Sequence, residues 1–189
     1  VNKKLSAIFA LQDEEKQSSV SAINQFDKMG LSTYMITGDN KRSAKFLADK
    51  LHINNFIAEA LPSDKVDLIT KLQKEGKVVA MVGDGINDAP ALAKADIGIA
   101  IGSGTDIAVE SADIVLVNSD LNNVVKAIGL SKKVITTIKQ NLFWAFVYNI
   151  IGIPLAALGM LNPMIGALAM SLSSVSVISN SLKLRRTKI

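Results

Sequence analysis

Cysteine is absent from this chain of 189 residues, and aspartate and glutamate are absent from its last third. Without cysteine the chain forms no disulfide and offers no thiolate to a metal ion. Histidine occurs once, at His52, and a single histidine cannot form a metal cluster alone. The first residues carry no hydrophobic leader, so we expect no signal peptide.

The charges are divided unevenly along the chain. Residues 1–139 hold 17 basic and all 17 acidic side chains, so this part is neutral, and the net charge of +4 comes from four basic residues after position 182. A neutral body argues against nucleic-acid binding. Basic residues that follow a hydrophobic segment are instead typical of the cytoplasmic boundary of a membrane span.

Short apolar runs alternate with amphipathic segments over residues 1–120. The runs predict strands at Leu5–Leu11, Ser32–Ile36, Asn55–Ala58, Lys77–Val82, Ile97–Ile101 and Ile114–Val117, and the segments predict helices at Asp13–Met29, 41–52 and Ser63–Glu75. This alternation indicates an α/β domain with a doubly wound, mostly parallel sheet. Such sheets bind ligands in the crevice at the carboxyl ends of their strands.

The stretch Met81–Leu92, MVGDGINDAPAL, follows one of these strands. The β-branched run Lys77–Val82 is typical of a strand that is buried on both faces. We expect Gly83 and Gly85 to allow a sharp turn directly after it.

Asp84 then projects from the end of that strand, with Asn87 and Asp88 where the next helix begins. Hard oxygen ligands at the crevice of a parallel sheet suit Mg²⁺ and phosphate. The alternative is a structural Asp-Gly turn followed by a helix cap, but the full pattern GDGxNDxPAL is more specific than such a turn.

Residues 140–182 form 43 consecutive positions without Asp, Glu, Lys or Arg. At ~1.5 Å per helical residue this length suffices for two crossings of a ~30 Å hydrocarbon core. We therefore expect a connecting helix at 121–140 and a transmembrane hairpin at 141–183, with spans at 142–160 and 164–182 and both ends cytoplasmic. The alternative is a buried helical hairpin in a large soluble protein.

Polar side chains interrupt both predicted spans. Tyr148 and Asn149 lie in the first span, ahead of Pro154, which we expect to open the helix locally. Met170 and Ser174 lie one turn apart in the second span. A thioether favours a soft monovalent cation such as Cu⁺, but interhelical hydrogen bonds and a gap-filling methionine explain the same residues. Chemistry alone leaves both interpretations open.

Three motifs carry a resemblance that covers essentially the whole chain: TGDN at Thr37–Asn40, PSDK at Pro62–Lys65 and GDGINDAPAL at Gly83–Leu92. In this order they resemble the phosphorylation domain of heavy-metal P-type ATPases, which belongs to the haloacid dehalogenase superfamily. Tyr148-Asn149 and the Met170-x-x-Ser173-Ser174 pattern are similar to the signature of the copper-exporting subclass. The resemblance implies an ATP-driven pump for Cu⁺ or Ag⁺ that works through an aspartyl-phosphate intermediate.

The resemblance also implies a role for each motif residue. In the soluble part, Thr37, Gly38 and Asp39 receive the phosphoryl group, Lys65 neutralises it, Asp84 binds Mg²⁺ with Asn87 and Asp88 in support, and Gly83 and Gly85 line the cofactor site. In the membrane part, Tyr148, Asn149, Met170 and Ser174 hold the transported ion, and Met164 lies near the exit. Zinc and cadmium pumps place a lysine and an aspartate in these helices, and this chain has neither there.

Several parts of such a pump are missing from this sequence. DKTGT with the phosphorylated aspartate, CPC with the entry-side metal ligands, and the nucleotide-binding domain are all absent. We therefore expect a C-terminal fragment that lacks the central strand of its sheet, exposes unpaired strand edges and hydrolyses no ATP alone.

The implied cofactors are Mg²⁺ and ATP, and the implied partners are the remainder of the pump, the heavy-metal cation and membrane lipid, without nucleic acid. We expect a multi-pass protein of a bacterial plasma membrane, with the basic tail 184–189 at anionic headgroups. Two alternatives are a membrane-anchored phosphatase fragment of the same superfamily and a noncatalytic partner of a complete pump.

Overall fold

The structure, a computed structural model, describes residues 17–102, 109–159 and 162–185. The chain divides into two compact units, Val1–Val125 and Lys126–Ile189. The helices are α1 (Gln17–Lys28), α2 (Lys41–Leu51), α3 (Pro62–Lys74), α4 (Ala89–Lys94), α5 (Leu121–Ala157) and α6 (Pro163–Arg185), and the strands are β1 (Tyr34–Ile36), β2 (Asn55–Ile57), β3 (Ala80–Gly83), β4 (Ile97–Ile101) and β5 (Ile114–Leu116). A short 3₁₀ helix, Ile86–Asp88, lies between β3 and α4.

The strands form two parallel sheets, and this confirms the predicted α/β fold. β1 pairs with β2, and β3, β4 and β5 pair in that order, each with a helix or crossover between neighbouring strands. Within the described ranges no strand joins β1 to β3, so the two sheets stay separate. This gap is where the resemblance predicts the missing central strand. The predicted strand Leu5–Leu11, the start of the first predicted helix and the end of the basic tail lie outside the described residues.

The prediction that Lys77–Val82 is buried on both faces is wrong. The strand begins only at Ala80, which is exposed, and the side chain of Val78 is 81% exposed. The physical reason is the position of β3, which has a partner on one side only among the strands that the structure describes. A run of β-branched residues predicts a strand, but it does not predict how many other strands or helices cover that strand.

A small hydrophobic core packs α1 and α2 against the first sheet. Ile23 of α1, Ala48 and Leu51 of α2, and Ile53 are each less than a tenth exposed, and Val20, Phe26, Met35, Leu47 and Phe56 pack around them. Ala44, Ala48 and Leu51 recur at helical spacing, so one face of α2 is apolar and turns inward. His52 caps the end of α2, with a left-handed backbone at φ 58° and an N–H that donates to the carbonyls of Ala48 and Asp49.

α5 is a single helix of 37 residues that contains the predicted connecting helix and the first predicted span as far as Ala157. α5 remains helical through Pro154 to Ala157, and the N–H of Leu158 donates to the carbonyl of Pro154 at 3.0 Å. Proline has no N–H for the carbonyl of Ile150, so the local opening of the helix at that carbonyl stays a prediction. Among the described residues α5 is the helix that is long and apolar enough to cross a membrane. α6 follows as a helix of 23 residues, and its role as a second span stays a prediction.

Asp96 fixes the start of β3 against β4. Its carboxylate accepts the N–H of Val79 at 2.8 Å, while the carbonyl of Val79 accepts the N–H of Asp96 at 3.0 Å. The hydrogen bond from Val79, aided by the side chain of Gln73, lowers the pKa of Asp96 because both donors favour the ionised carboxylate. The strand that leads to the GDG motif is therefore aligned by a charged acceptor.

We expect Asp96→Asn to reduce the acid sensitivity of this unit. A carboxylate whose pKa is lowered by folding stabilises the fold fully above its unfolded pKa of about 3.9, and this contribution disappears as the pH falls through the lower folded pKa. The urea midpoint of the unmodified chain, followed by circular dichroism, should therefore fall below about pH 4, and that of Asp96→Asn should fall less. Asp67→Asn, an exposed change on α3, should keep the original acid dependence. Identical pH profiles for Asp96→Asn and the unmodified chain would contradict this account.

Candidate active site

The loop after β1 is closed by its own polar groups. The Thr37 hydroxyl donates to the Asp39 carboxylate at 2.8 Å and accepts the N–H of Asp39 at 3.1 Å. The N–H of Thr37 donates to Ile57 at 3.0 Å, which continues the β1–β2 ladder into the loop. Asn40 then caps α2 by accepting the N–H of Ser43 at 3.0 Å. Thr37 and Asp39 are thus held together, and Asp39 is exposed; their predicted role toward a phosphoryl group stays a prediction.

The first turn of α3 presents Lys65. Pro62 occupies the start of the helix, and the Asp64 carboxylate accepts the N–H of Leu61 at 2.8 Å, so the helix start is fixed by a proline and a carboxylate cap. The N–H of Ala60 also donates to the carbonyl of Thr37 at 3.0 Å. This bond joins the Thr37 loop to the segment from which α3 and Lys65 emerge.

Lys65 forms an ion pair with Asp88. The Lys65 Nζ lies 2.5 Å from the Asp88 Oδ1, and the two side chains are 15% and 12% exposed. Asp88 also accepts the N–H of Gly85 at 3.4 Å through its Oδ2. Both oxygens of this shielded carboxylate are therefore engaged, and a charge-assisted bond anchors Lys65 beside the loop that follows β3.

The structure gives Gly83 a role that the sequence did not indicate, while the predicted cofactor role of Gly83 and Gly85 stays a prediction. Gly85 has a φ of −113° and Gly83 has no positive φ, so neither uses the left-handed conformation that favours glycine in sharp turns. At Gly83 the cause is space, because an added Cβ would lie 2.7 Å from the Cβ and 2.8 Å from the Cγ of Asp88. The missing side chain of Gly83 leaves the room that Asp88 occupies.

Asp84 and Asn87 are exposed at the carboxyl end of β3. Within the described ranges no hydrogen bond or ion pair engages the Asp84 carboxylate. Nor do the described residues contain a cluster of three or more acidic or histidine side chains suited to a metal. One or two carboxylates completed by phosphate oxygens and water are the usual protein share of a Mg²⁺ site. The donor set around Asp84 therefore fits Mg²⁺ together with a phosphate.

In the second unit, two predicted ion ligands bond within their own helices. Asn149 donates its amide to the carbonyl of Ala145 at 2.7 Å, which leaves its side-chain oxygen available to another partner. The Ser174 hydroxyl donates to the carbonyl of Met170 at 3.2 Å, so its oxygen keeps its lone pairs. Each residue can thus offer a side-chain oxygen to a further partner.

The other predicted ion-pathway residues lie along the same helices. The ring of Tyr148 lies 6.4 Å from that of Trp144, one turn earlier on α5. Met170 is 68% exposed, and Met164 is 81% exposed in the first turn of α6, where its N–H donates to the side chain of Asn162 at 3.0 Å. The structure shows no contact that joins Met164 to the other ion-pathway residues in the part of the chain it describes.

Sequence reasoning missed the side chains that hold α5 and α6 together. Asn180 donates to Asn141 at 2.9 Å and to Gln140 at 3.2 Å, and Asn141 donates to Ser181 at 2.9 Å. The available signal was the position of two asparagines near the ends of an otherwise uncharged stretch, where amides are expected to find partners.

We expect Gly83→Ala to destabilise the first unit by about 1–3 kcal/mol, because the new methyl group overlaps Asp88 and either strains β3 or displaces the Lys65 partner. Urea denaturation followed by circular dichroism measures this change. Gly129→Ala is the matched control, since a Cβ at this helical position meets nothing within 4 Å and alanine favours helix. Equal stability of Gly83→Ala and the unmodified chain would contradict the close approach.

Comparison with known proteins agrees with this architecture. The family model of the haloacid dehalogenase-like hydrolases matches residues 1–96, and a second model with the same description matches residues 65–128. The copper-exporting P-type ATPase of Staphylococcus aureus (strain MRSA252) is 53% identical over all 189 residues, and that of Staphylococcus haemolyticus (strain JCSC1435) is 55% identical over 186 residues. The chain spans 24% and 23% of the length of these curated relatives.

Solved structures give the same result. A zinc-transporting PIB-type ATPase in the E2.Pi state superposes with a TM-score of 0.85 at 40% identity, over 92% of this chain and 28% of that one. The catalytic domain of the CPx-ATPase CopB-B superposes with a TM-score of 0.56 at 36% identity, over 60% of this chain and 45% of that one. The resemblance to heavy-metal P-type ATPases is therefore confirmed. The chain belongs to the haloacid dehalogenase-like hydrolases, and its relatives at 53–55% identity over nearly the whole chain are copper-exporting P-type ATPases.

Proposed function

We propose that this chain is part of an ATP-driven pump that exports Cu⁺ or Ag⁺ through an aspartyl-phosphate intermediate. It supplies one half of a Mg²⁺–phosphate site and two helices of the ion pathway. The observation that carries the proposal is the Lys65–Asp88 ion pair at the carboxyl end of β3, which leaves the adjacent Asp84 exposed and without a partner among the described residues. The copper-exporting relatives support the choice of cargo.

Phosphoryl transfer to a carboxylate requires positioned groups that offset negative charge on the transferred oxygens. Lys65 supplies a positive charge whose position is fixed by Asp88, and Thr37 supplies a hydroxyl and nearby backbone N–H groups. Asp84 would hold Mg²⁺, with Asn87 and Asp88 in support, and the ion would neutralise phosphate charge when bound. The phosphorylated aspartate and the nucleotide site belong to the remainder of the pump.

The Thr37 hydroxyl has one proton, and in this structure it donates that proton to Asp39. A phosphoryl oxygen that approaches the loop would compete with the Asp39 carboxylate for the same proton. Lys65 faces a similar choice, but its ammonium carries three donors and can keep Asp88 while it binds a second acceptor. Lys65 can therefore bind phosphate without losing its bond to Asp88, whereas Thr37 has to give up its bond to Asp39.

The ion-pathway residues favour a soft monovalent cation. Met170 offers a thioether, Asn149 offers an amide oxygen while its amide nitrogen donates to the carbonyl of Ala145, and Ser174 offers a hydroxyl oxygen whose proton is donated to the carbonyl of Met170. Thioethers bind Cu⁺ more readily than they bind Zn²⁺. No carboxylate or amine lies in residues 140–182 to balance a divalent ion. These features support copper or silver, although one solved relative transports zinc.

We further propose that α5 and α6 are two spans of a multi-pass protein in a bacterial plasma membrane. Both flanks of the uncharged stretch are basic, with Lys139 before it and Lys183 after it, and this supports a cytoplasmic position for both ends. The basic residues after Lys183 would then lie at anionic lipid headgroups.

The Mg²⁺ assignment can be tested in a chimeric pump in which this chain replaces the matching quarter of the Staphylococcus aureus relative. Asp84→Asn should lower phosphoenzyme formation from ATP by about a hundredfold, because a neutral amide holds Mg²⁺ poorly, and added Mg²⁺ should restore part of it. Asp49→Asn, an exposed change on α2, should leave phosphorylation unchanged. Full phosphorylation of the Asp84→Asn pump at ordinary Mg²⁺ would refute the assignment.

Cargo choice is tested by adding Cu⁺, Ag⁺ or Zn²⁺ to the same chimera and measuring ATP hydrolysis. Cu⁺ and Ag⁺ should stimulate it, and Met170→Leu and Asn149→Ala should each reduce that stimulation by about tenfold or more, because each removes one ligand of a soft ion. Leu168→Met, which adds a thioether at an exposed position of α6, is the control and should have little effect. Stimulation by Zn²⁺ alone would contradict the proposed cargo.

A further inference from the structure

Four polar side chains join the two long helices at the end away from their connection. Asn180 of α6 donates to the side chains of Asn141 and Gln140 on α5, and Asn141 donates to Ser181. We call these four residues the amide clamp. The donor–acceptor distances are 2.9, 3.2 and 2.9 Å, all within the normal range for hydrogen bonds.

The clamp differs in kind from the local side-chain hydrogen bonds within these helices. Five other side chains donate to the carbonyl four residues earlier in their own helix, namely Thr136, Thr137, Asn149, Ser171 and Ser174. Bonds of that kind are preserved if one helix slides past the other. The clamp bonds join residues 39 or 40 positions apart, so they exist in one register only.

This register determines which residues face each other further along the pair. Asn141 and Tyr148 are seven residues apart on α5, and Ser173 and Asn180 are seven residues apart on α6. Seven residues are about two helical turns, so each pair shares a face and is separated by roughly 10 Å of helix. The chain runs away from the clamp along α5 and returns toward it along α6. Tyr148, seven residues after Asn141, and Ser173, seven residues before Asn180, therefore come to the same level on facing sides.

The segments between the clamp and the ion-pathway residues are uninterrupted helix. Residues 141–149 and 170–180 contain neither proline nor glycine, and Pro154 lies beyond Asn149. Helices of this kind transmit a shift at one end to the other, because their internal hydrogen bonds resist changes in length. A slip of one residue would move the facing groups by ~1.5 Å and turn them by about 100°.

We infer that the amide clamp is the positioning device of the ion pathway. It holds Tyr148 and Asn149 on α5 level with Ser173 and Ser174 on α6, with Met170 one turn away. Asn141 and Asn180 are therefore positioning residues, which act through the ion-pathway residues and do not bind the cation. The inference rests on the proposed function for the cation, whereas the register itself does not depend on it.

The register can be measured by cross-linking in the full chain, which has no cysteine of its own. One variant carries Tyr148→Cys with Ser173→Cys, and a comparison variant carries Tyr148→Cys with Val177→Cys, one turn nearer to the clamp. With the clamp intact, a short bifunctional thiol reagent should join the first pair about tenfold faster than the second, since three interhelical bonds favour one register. Adding Asn141→Leu and Asn180→Leu should reduce this preference severalfold.

Two further variants keep the test decisive. Thr137→Val removes a side-chain bond within α5 and should preserve the preference. Ser181→Ala removes one clamp bond and should give an intermediate preference, so a failure of the double variant to fold leaves a second measurement. An unchanged preference in both Ser181→Ala and the double leucine variant, or no preference with the clamp intact, would overturn the inference.

Silver binding separates this inference from the proposed function. Titration of Ag⁺ into the detergent-solubilised chain should show weaker binding for Met170→Leu and also for Asn141→Leu with Asn180→Leu. Binding that Met170→Leu weakens but clamp removal leaves intact would overturn the positioning role. Ag⁺ binding that is unchanged by Met170→Leu would contradict the proposed cation site. The cross-linking preference would still decide whether the clamp sets the register.

Discussion

The ion pair between Lys65 and Asp88 is the contact on which the proposed phosphate site depends. It joins the first turn of α3 to the turn that follows β3, and both side chains are largely shielded from water. A shielded ion pair adds little net stability, because desolvation offsets most of the attraction, but loss of one partner leaves a costly unpaired charge. The main effect of the pair is therefore to fix Lys65 and Asp88 beside each other, and its contribution to the free energy of folding is small. It requires glycine at position 83, because any side chain there would overlap Asp88. The ion pair anchors Asp88, while Asp84 stays exposed to solvent.

The same contact explains how one site draws on two separate sheets. The Thr37 loop extends β1 and β2, whereas Asp84 and Asp88 follow β3 in the second sheet. α3 connects the two, since Ala60 just before it bonds Thr37 and Lys65 in its first turn bonds Asp88. A helix start is rigid when it is capped, and here Pro62 and Asp64 provide the cap. The two sets of groups in the proposed phosphate site are thereby kept in a defined relation within the first unit, without a strand between β1 and β3 among the described residues.

In the second unit, hydrogen bonds between neutral side chains fix the packing of the helices, whereas in the first unit an ion pair fixes the position of α3 against the loop after β3. Residues 140–182 contain no Asp, Glu, Lys, Arg or His, so the register between the two helices has to be set by amides and hydroxyls. Apolar side chains allow many registers, because a lipid tail solvates leucine as well as another helix does. Amide groups restrict the choice, since each Asn180 donor needs an acceptor at a definite height. This is the physical basis for assigning register to the clamp and ion binding to residues two turns away.

Much of this protein was predictable from its sequence. Strand positions, helix α3 with Lys65 near its start, and the α/β class followed from hydrophobic periodicity and capping residues, which are local properties. The exposure of Val78 was not predictable, because it depends on which elements far away in sequence cover the strand. The reason for Gly83 was not predictable either, because it depends on how the loop that follows β3 brings Asp88 back against it. Sequence by itself determined which side chains we propose for phosphate, Mg²⁺ and a soft cation. Only the tertiary structure decided that Lys65 meets Asp88 and that Asn141 meets Asn180, because such pairings depend on how distant segments pack.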